Sequence, residues 1–344
     1  MAVTIKDVAA RCGLSISTVS KAFNHYSDIS QSTRELVRRT AQEIGYYPNA
    51  VARTLKTNHS FNLGVLFAPA GCSELLQPFS AAVLGAFKAE AEHLGYDLTF
   101  ISHQFGHSSM TYLEHCLCRN VDGVCLACAD FSDPEIQELA SSSLPLVTID
   151  HPFPNRSCVL SENQEGMEWL VRHAFSLGHR KIACVHGRPT AVTQRRMTGY
   201  QLGLAACGLP FRPEWVRECT AADPEQGHLA ARALWLLPDP PTCILMPDDV
   251  SCLGAMEAAE ELGLRIPLDV SVAGYGGLAF AQLLTPRLTT VRQNTEELGA
   301  QAARCLVAQI EHPQETPVQV TAVPGRLIPG ETLGQMFPLS PAVR

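Results

Sequence analysis

From Phe61 onward the chain alternates short apolar runs with longer helical patterns, and it does so in two series. "FNLGVLFA" is followed by a helical pattern over residues 80–94, "YDLTFIS" by one over 112–118, and "VDGVCLACA" by one from Pro134, ahead of "LPLVTID". After "VLSENQEG" the alternation restarts: a helix over 167–177, "KIACVHG", a helix over 196–207, "TCILMP", a helix over 251–262 and "DVSVAGYG". Near-continuous apolar strands separated by helices describe a parallel sheet covered on both faces, so the expected body is α/β and doubly wound. Two series predict two lobes with a cleft between them, and ligands of such sheets sit beyond the carboxyl ends of the strands.

At 344 residues the chain exceeds one ordinary core, leaving room for a further domain ahead of Phe61. No apolar run is long enough to span a bilayer. The start "MAVTIKDVAARCG" lacks the basic and then apolar pattern of a secretory signal, so a cytoplasmic protein is expected. Thirteen cysteines then read as reduced thiols filling apolar positions. Cys125 and Cys128 form a CxxC that suits zinc or redox chemistry. Within a buried strand, however, that spacing sends the two side chains to opposite faces, so packing is favoured and no metal or cofactor is expected.

Charge is unevenly spread. Residues 1–59 carry eight Lys/Arg against four Asp/Glu, net +4, while the remainder carries 18 against 30. A small basic head on an acidic body is the electrostatic outline of a DNA-binding module attached to something else.

The head reads "TIKDVAARCGLSISTVSKAFN". Thr4 and Asp7 open a helix that Gly13 closes, since a left-handed residue costs glycine little. Ser15 caps a second helix to about Asn24. Ile5, Val8, Ala9, Leu14, Val19 and Ala22 supply an inward face. A third helix follows, with Ser32 and Glu35 as a capping box and Leu36, Val37, Ala41 and Ile44 buried. Three short helices with this turn make a helix-turn-helix, whose second helix enters the major groove. Its polar outer face (Ser15, Ser17, Thr18, Ser20, Lys21, Asn24) suits phosphates and base edges. Arg34, Arg38 and Arg39 are either phosphate contacts or solvated charges. Next, in "YYPNAVARTLKTNHS", Pro48 stops the third helix and Asn49 caps a short one over residues 50–56. Seven residues do not hold a helix alone in water, so it forms only against a copy of itself or DNA.

These stretches, with "STRELVRRTAQEIGYYPNAVARTLK", "GHRKIACVHG", "DVSVAGYG" and "LTTVRQ", resemble the LacI/GalR family of bacterial transcription regulators, from Val3 to about Thr332. The resemblance implies a headpiece joined to a two-lobed, periplasmic-binding-protein-like body whose chain crosses between lobes three times. It implies a homodimer on a palindromic DNA operator, with Leu55 as the apolar minor-groove wedge, Ala52 packed beside it and Lys56 reaching phosphate or groove. Unstacking a base step costs a few kcal/mol, offset by the surface that bent DNA adds. Ile16 and Ser17 fall where the family's recognition helix discriminates bases. Neither makes a two-point hydrogen bond, so Ile16 suits a thymine methyl and Lys21 the best polar contact. Thr4 and Thr33 complete the DNA-contact candidates.

For the cleft the resemblance points to Arg196 in "RMTG" as ligand anchor, Phe79 in "QPFSA" as an apolar wall, and Gln293 at a crossover. Asp150 and Asp249 are candidates that equally suit turn caps. Two departures matter: Gly276 stands where the family usually has an aspartate that takes ring hydroxyls, and Ala222 stands where a stacking aromatic is common. An arginine without that acid favours an anionic small-molecule effector such as a phosphorylated or carboxylated metabolite; a sugar held by other groups, or control by a partner protein, stays open.

Enzyme signatures are missing from the motifs. "GYGG" lacks the third glycine of a dinucleotide fingerprint, and neither GxxxxGK[ST] nor GxSxG occurs. The expectation is a non-catalytic, ligand-controlled repressor that does not touch a membrane, with a solute-binding protein as the less favoured use of the fold. Expected boundaries are 1–46 for the helix-turn-helix, 47–59 for the hinge, 60–333 for the body (first lobe 60–160 plus 290–321, second 161–289 plus 322–333) and 334–344 for a tail too short for a tetramer-forming helix.

Overall fold

The computed structural model describes residues 3–23, 26, 28–47, 59–67, 78–105 and 108–336. The chain divides into two compact units, Met1–Phe61 and Asn62–Arg344.

In the first unit α1 (Ile5–Cys12), α2 (Ile16–Phe23) and α3 (Gln31–Ile44) enclose a small core of Val8, Ala9, Val19, Ala22, Val37 and Ala41. The Asp7 carboxylate accepts from the Thr4 N–H and hydroxyl, both at 2.8 Å, and these bonds hold its pKa below the usual carboxylate range. Gly13, at φ 67°, ends α1. Helix α3 is capped by Ser30 rather than Ser32: Ser30 Oγ accepts from the Thr33 N–H at 3.2 Å, while Glu35 accepts from Gln31 Nε2 at 3.0 Å instead of closing a box. Leu36, expected inside, is exposed; Thr40 takes its place, because Val37, Thr40, Ala41 and Ile44 share one face at helical spacing.

The second unit holds two six-stranded sheets. Its elements run β1 (Asn62–Phe67), α4 (Pro78–His93), β2 (Asp97–Phe100), a short hairpin of β3 (Gln104–Phe105) and β4 (Ser108–Ser109), α5 (Tyr112–Arg119), β5 (Gly123–Ala127), α6 (Pro134–Ser141), β6 (Leu146–Ile149) and β7 (Ser157–Ser161). Then follow α7 (Asn163–Ser176), β8 (Ile182–His186), α8 (Ala191–Ala206), β9 (Val216–Glu218), α9 (Pro224–Trp235), β10 (Cys243–Leu245), α10 (Asp249–Glu261), β11 (Ser271–Gly276), β12 (Thr289–Arg292), α11 (Thr295–Glu311), β13 (Val320–Val323) and β14 (Arg326–Ile328).

The first sheet is parallel throughout, in the order β13-β7-β6-β5-β1-β2. The second, β14-β12-β11-β10-β8-β9, is parallel except for β14. The chain therefore passes between sheets at residues 161–163, 292–295 and 323–326, one to five residues beyond the places expected near 160, 290 and 321. The difference at 290 arises because Thr289–Arg292 pairs in full with β11 before the chain leaves.

Helices pair through glycines. A Cβ on Gly199 of α8 would lie 2.0 Å from the Gln164 carbonyl oxygen of α7, one on Gly254 of α10 1.7 Å from Pro224 O of α9, and one on Gly299 of α11 2.3 Å from Val83 O of α4. Backbones this close exclude any side chain. Cys125 is buried in β5, whereas Cys128 lies beyond the strand end at φ 49°, its Sγ 3.2 Å from Ser80 Oγ. Near the chain end, the Met336 N–H donates to Leu177 O at 2.8 Å, so the expected tail begins docked on the second lobe. Residues 337–344 lie outside the described residues. Among the described residues no helix is long and apolar enough to cross a membrane.

His179 is fully buried, with Nδ1 2.9 Å from Thr242 Oγ1 and Nε2 donating to Gly334 O at 3.1 Å; burial pushes its pKa down to about 4. The folded protein thus holds it neutral, while the unfolded chain protonates it near 6.5. Stability is expected to fall as pH drops from about 6.5 towards 4, and urea titrations of wild type against H179Q should show the smaller slope in the variant. Gly254→Ala should force α9 and α10 apart at about 1–3 kcal/mol, read as a fall of several degrees in the melting temperature.

Candidate functional sites in the two units

In the helix-turn-helix unit, Ser15 Oγ accepts from the Thr18 N–H at 3.0 Å and lies 2.9 Å from the Thr18 hydroxyl, fixing the start of α2. Ser15, Ile16 and Ser17 are exposed; Thr18, Ser20, Lys21 and Thr33 are half-buried. Ile16 keeps 46% of its surface in solvent, so this apolar side chain at the helix start is not spent on the core. The Lys21 ammonium is paired with Asp28, and that contact holds Asp28 below the usual carboxylate range. Arg34 donates from Nη2 to Tyr26 O at 2.8 Å, which makes it a loop brace. Arg39 faces Glu43 at 3.8 Å, both exposed. Asn24, Ala52, Leu55 and Lys56, and with them the expected hinge helix, lie outside the described residues.

In the body, the strand ends bring together residues far apart in sequence. Asp150 follows β6, Ser161 ends β7, Asn163 opens α7, Arg196 lies on α8, and Gln293 follows β12. Arg196 Nε donates to Asn163 Oδ1 at 2.8 Å, Nη1 to Pro247 O at 2.8 Å, and Nη2 reaches Gln293 Oε1 at 3.5 Å. Its carbon Cζ sits 3.7 Å above the centre of the Tyr275 ring, a cation–π contact. Burial raises the Tyr275 hydroxyl to about 12.

The network closes on itself. Gln293 Nε2 donates to Ser161 Oγ at 3.0 Å, and the Ser161 hydroxyl and N–H donate to Asp150 at 3.1 and 2.6 Å. Asn163 Nδ2 reaches Asp150 Oδ1 at 3.5 Å. Asp150 adopts φ 59°, a left-handed conformation that Asp tolerates better than most residues. Burial raises its pKa, opposed by the Ser161 bonds and then by the charges of Arg196 and Arg195.

Phe79, Gly276 and Gln293 line one cavity of about 360 Å³, together with Pro78, Ala82, Leu278 and Arg292. Gln293 is thus shared by the cavity wall and the polar ring. Asp249 belongs to neither and lies behind the wall, 3.6 Å from where a Cβ on Gly276 would stand. It is wholly buried, and its carboxylate accepts from the Thr290 hydroxyl and the Leu278 N–H, both at 2.6 Å. It anchors the turn at Gly276 and Gly277, where φ is 123° and 69°. Asp248 is the helix cap, accepting from the Ser251 N–H at 2.8 Å.

Ser161, Asn163 and Tyr275 were missed by sequence reasoning. The polar break "VLSENQEG" carried the signal for the first two, as polar residues at a strand-to-helix passage. Asp249→Ala should leave the Thr290 hydroxyl and the Leu278 N–H unsatisfied, at about 1–3 kcal/mol, measured by urea denaturation of the full chain.

A helix-turn-helix unit followed by a two-lobed body with a polar cluster at its strand ends defines a class of ligand-controlled DNA-binding regulator. Comparison with known proteins agrees. Residues 4–49 match the model of bacterial regulatory proteins of the lacI family, and residues 171–333 match a periplasmic binding protein-like domain. The chain is 30% identical to the HTH-type transcriptional repressor PurR of Haemophilus influenzae, over 93% of this chain and 95% of the relative. It is 33% identical to PurR of Erwinia tasmaniensis, over 93% and 94%. The fold superposes on a lac repressor dimer bound to operator and the anti-inducer ONPF with TM-score 0.80 at 26% identity, covering 97% of this chain and all of that one. A complex of the regulator CelR with cellobiose gives 0.71 at 26% identity, covering 96% of this chain and all of that one. The chain belongs to the LacI family of bacterial transcriptional regulators.

Proposed function

We propose that the chain is a cytoplasmic, homodimeric repressor that binds a palindromic operator and is controlled by a small metabolite held between its lobes, with no catalytic step of its own. The observation that carries this reading is the convergence of Asp150 and Gln293, beyond strand ends of the two sheets, with Arg196 of α8, beside a cavity walled by Phe79 and Gly276. A ligand that prefers one arrangement of the lobes over another shifts operator affinity by that preference and no more. The names of the relatives, repressors over almost their whole length, support the direction of control.

On DNA, α2 lies in the major groove. Thr4, Ser15, Thr18, Ser20 and Thr33 contact phosphate, Ile16 and Ser17 face bases, and Lys21 exchanges Asp28 for DNA. Asn24, Ala52, Leu55 and Lys56 complete the contact set, with Leu55 as the minor-groove wedge.

Selection of genomic fragments by the purified protein at about 0.15 M salt should enrich one palindromic site. Failure to enrich any site means that operator binding needs a corepressor or a partner protein, and moves the reading towards partner control. Ile16→Ala should weaken binding by about 1 kcal/mol and flatten the preference at one base pair per half-site, as read by the same selection with the variant.

A further inference from the structure

Helix α2, the element set in the major groove, carries a single cation, Lys21. Its ammonium is already paired, with a carboxylate that comes from the loop between α2 and α3, that of Asp28. The loop is fastened on both sides of Asp28. The Tyr26 N–H donates to Lys21 O at 3.2 Å, and Tyr26 O accepts from the Ile29 N–H at 3.2 Å and from Arg34 Nη2 at 2.8 Å. Backbone and α3 together therefore present the carboxylate to Lys21, and the pair is more than a meeting of two loose arms.

The other acids of the head stay with their own helices. Asp7 is bonded to Thr4, Glu35 to Gln31, and Glu43 faces Arg39. Among the described residues Asp28 is the acid of the head that crosses from one element to another, and it does so at the one charge on α2 that attracts DNA. Affinity for DNA is lowered by this, because a paired ammonium shows a phosphate a nearly neutral group. The pair is nonetheless open. The side chains of Lys21 and Asp28 keep 39% and 52% of their surface in solvent, so a DNA group can displace the carboxylate once α2 is seated.

We infer that Asp28 is a specificity-determining residue, which withholds Lys21 from the phosphates of operator-free DNA and yields it on the operator. This rests on the DNA reading above. Phosphate contacts hold a protein on DNA of any sequence, and each one releases counterions and steepens the dependence on salt. Away from the operator α2 is not seated, and a passing phosphate competes with a carboxylate fixed in place. On the operator the seated helix brings Lys21 against phosphate and base edges together, and the exchange goes through. Specificity is the ratio of the two affinities, so a weaker grip on other sequences raises it.

The test uses the full chain and two duplexes, one free of operator and one the site returned by selection, titrated between about 0.05 and 0.3 M salt. On operator-free DNA, Asp28→Asn should steepen the log–log salt slope by about 0.9 and raise affinity about fivefold at about 0.15 M, while the slope on the operator stays unchanged. Asp28→Ser should behave alike, and in a Lys21→Gln background Asp28→Asn should lose most of its effect. Unchanged binding of operator-free DNA by a folded variant overturns the inference. So does a slope that steepens equally on both duplexes, or a gain that survives in full without Lys21. The operator-free duplex and the Lys21→Gln background decide between these outcomes even where no operator is enriched. Absence of any DNA binding by the wild type at about 0.05 M salt sinks the DNA reading itself.

Discussion

The hydrogen bond from Gln293 to Ser161, at 3.0 Å, ties the second passage between the sheets to the first. Much of the site hangs on it. Ser161 hands the interaction on to Asp150, and Gln293 turns its oxygen towards Arg196. Asn163 supplies the second route from guanidinium to carboxylate. Along both routes each donor points away from Arg196 and towards Asp150. Hydrogen bonds aligned in this way polarise one another, so perturbing the cation at one end is felt at the carboxylate. The candidate anchor for a ligand and the passages between sheets are in this sense one polar assembly.

Two aspartates show how position decides role. Asp150 stands in the ring, drawn into a left-handed turn and held by Ser161. Asp249 is enclosed behind the Gly276–Gly277 turn, where it bonds to Leu278 and Thr290. A Cβ on Gly274 would come within 2.4 Å of its Oδ1, so the strand before the turn must carry glycine there for the carboxylate to fit. The acid that the family usually shows after the tyrosine is replaced by glycine, and the acid nearest that turn is already committed to holding it.

Much of this was legible in the residues. The alternation of apolar strands and helices gave both lobes, because a two-residue period and a 3.6-residue period leave different traces. The headpiece was legible because its turn needs glycine at Gly13 and its second helix needs a cap at Ser15. Local competition defeated the reading at α3: Ser30 and Ser32 are equally good caps in isolation, and the choice is made by where the helix docks. The polar ring was half legible. Arg196, Asp150 and Gln293 came from the family pattern, but Ser161 and Gln293 meet across 132 residues of chain, and no spacing rule reports such a meeting. Asn163 was hidden for a related reason, since its partners lie 13 and 33 positions away.

The glycines at 199, 254 and 299 let backbone lie on backbone in three helix pairs, two in the second lobe and one in the first. Contacts of that kind have no side chains to slide or re-rotamerise, so they do not yield gradually under load. Each lobe is accordingly stiff along its helical flank, so any change in the angle between the lobes must be taken up in the short peptide runs at 161–163, 292–295 and 323–326. Mechanically the body is two plates on three flexures. Two of these flexures carry members of the polar ring, so a group seated there works at the pivot, where a small displacement becomes a large arc at the far edge of the lobe.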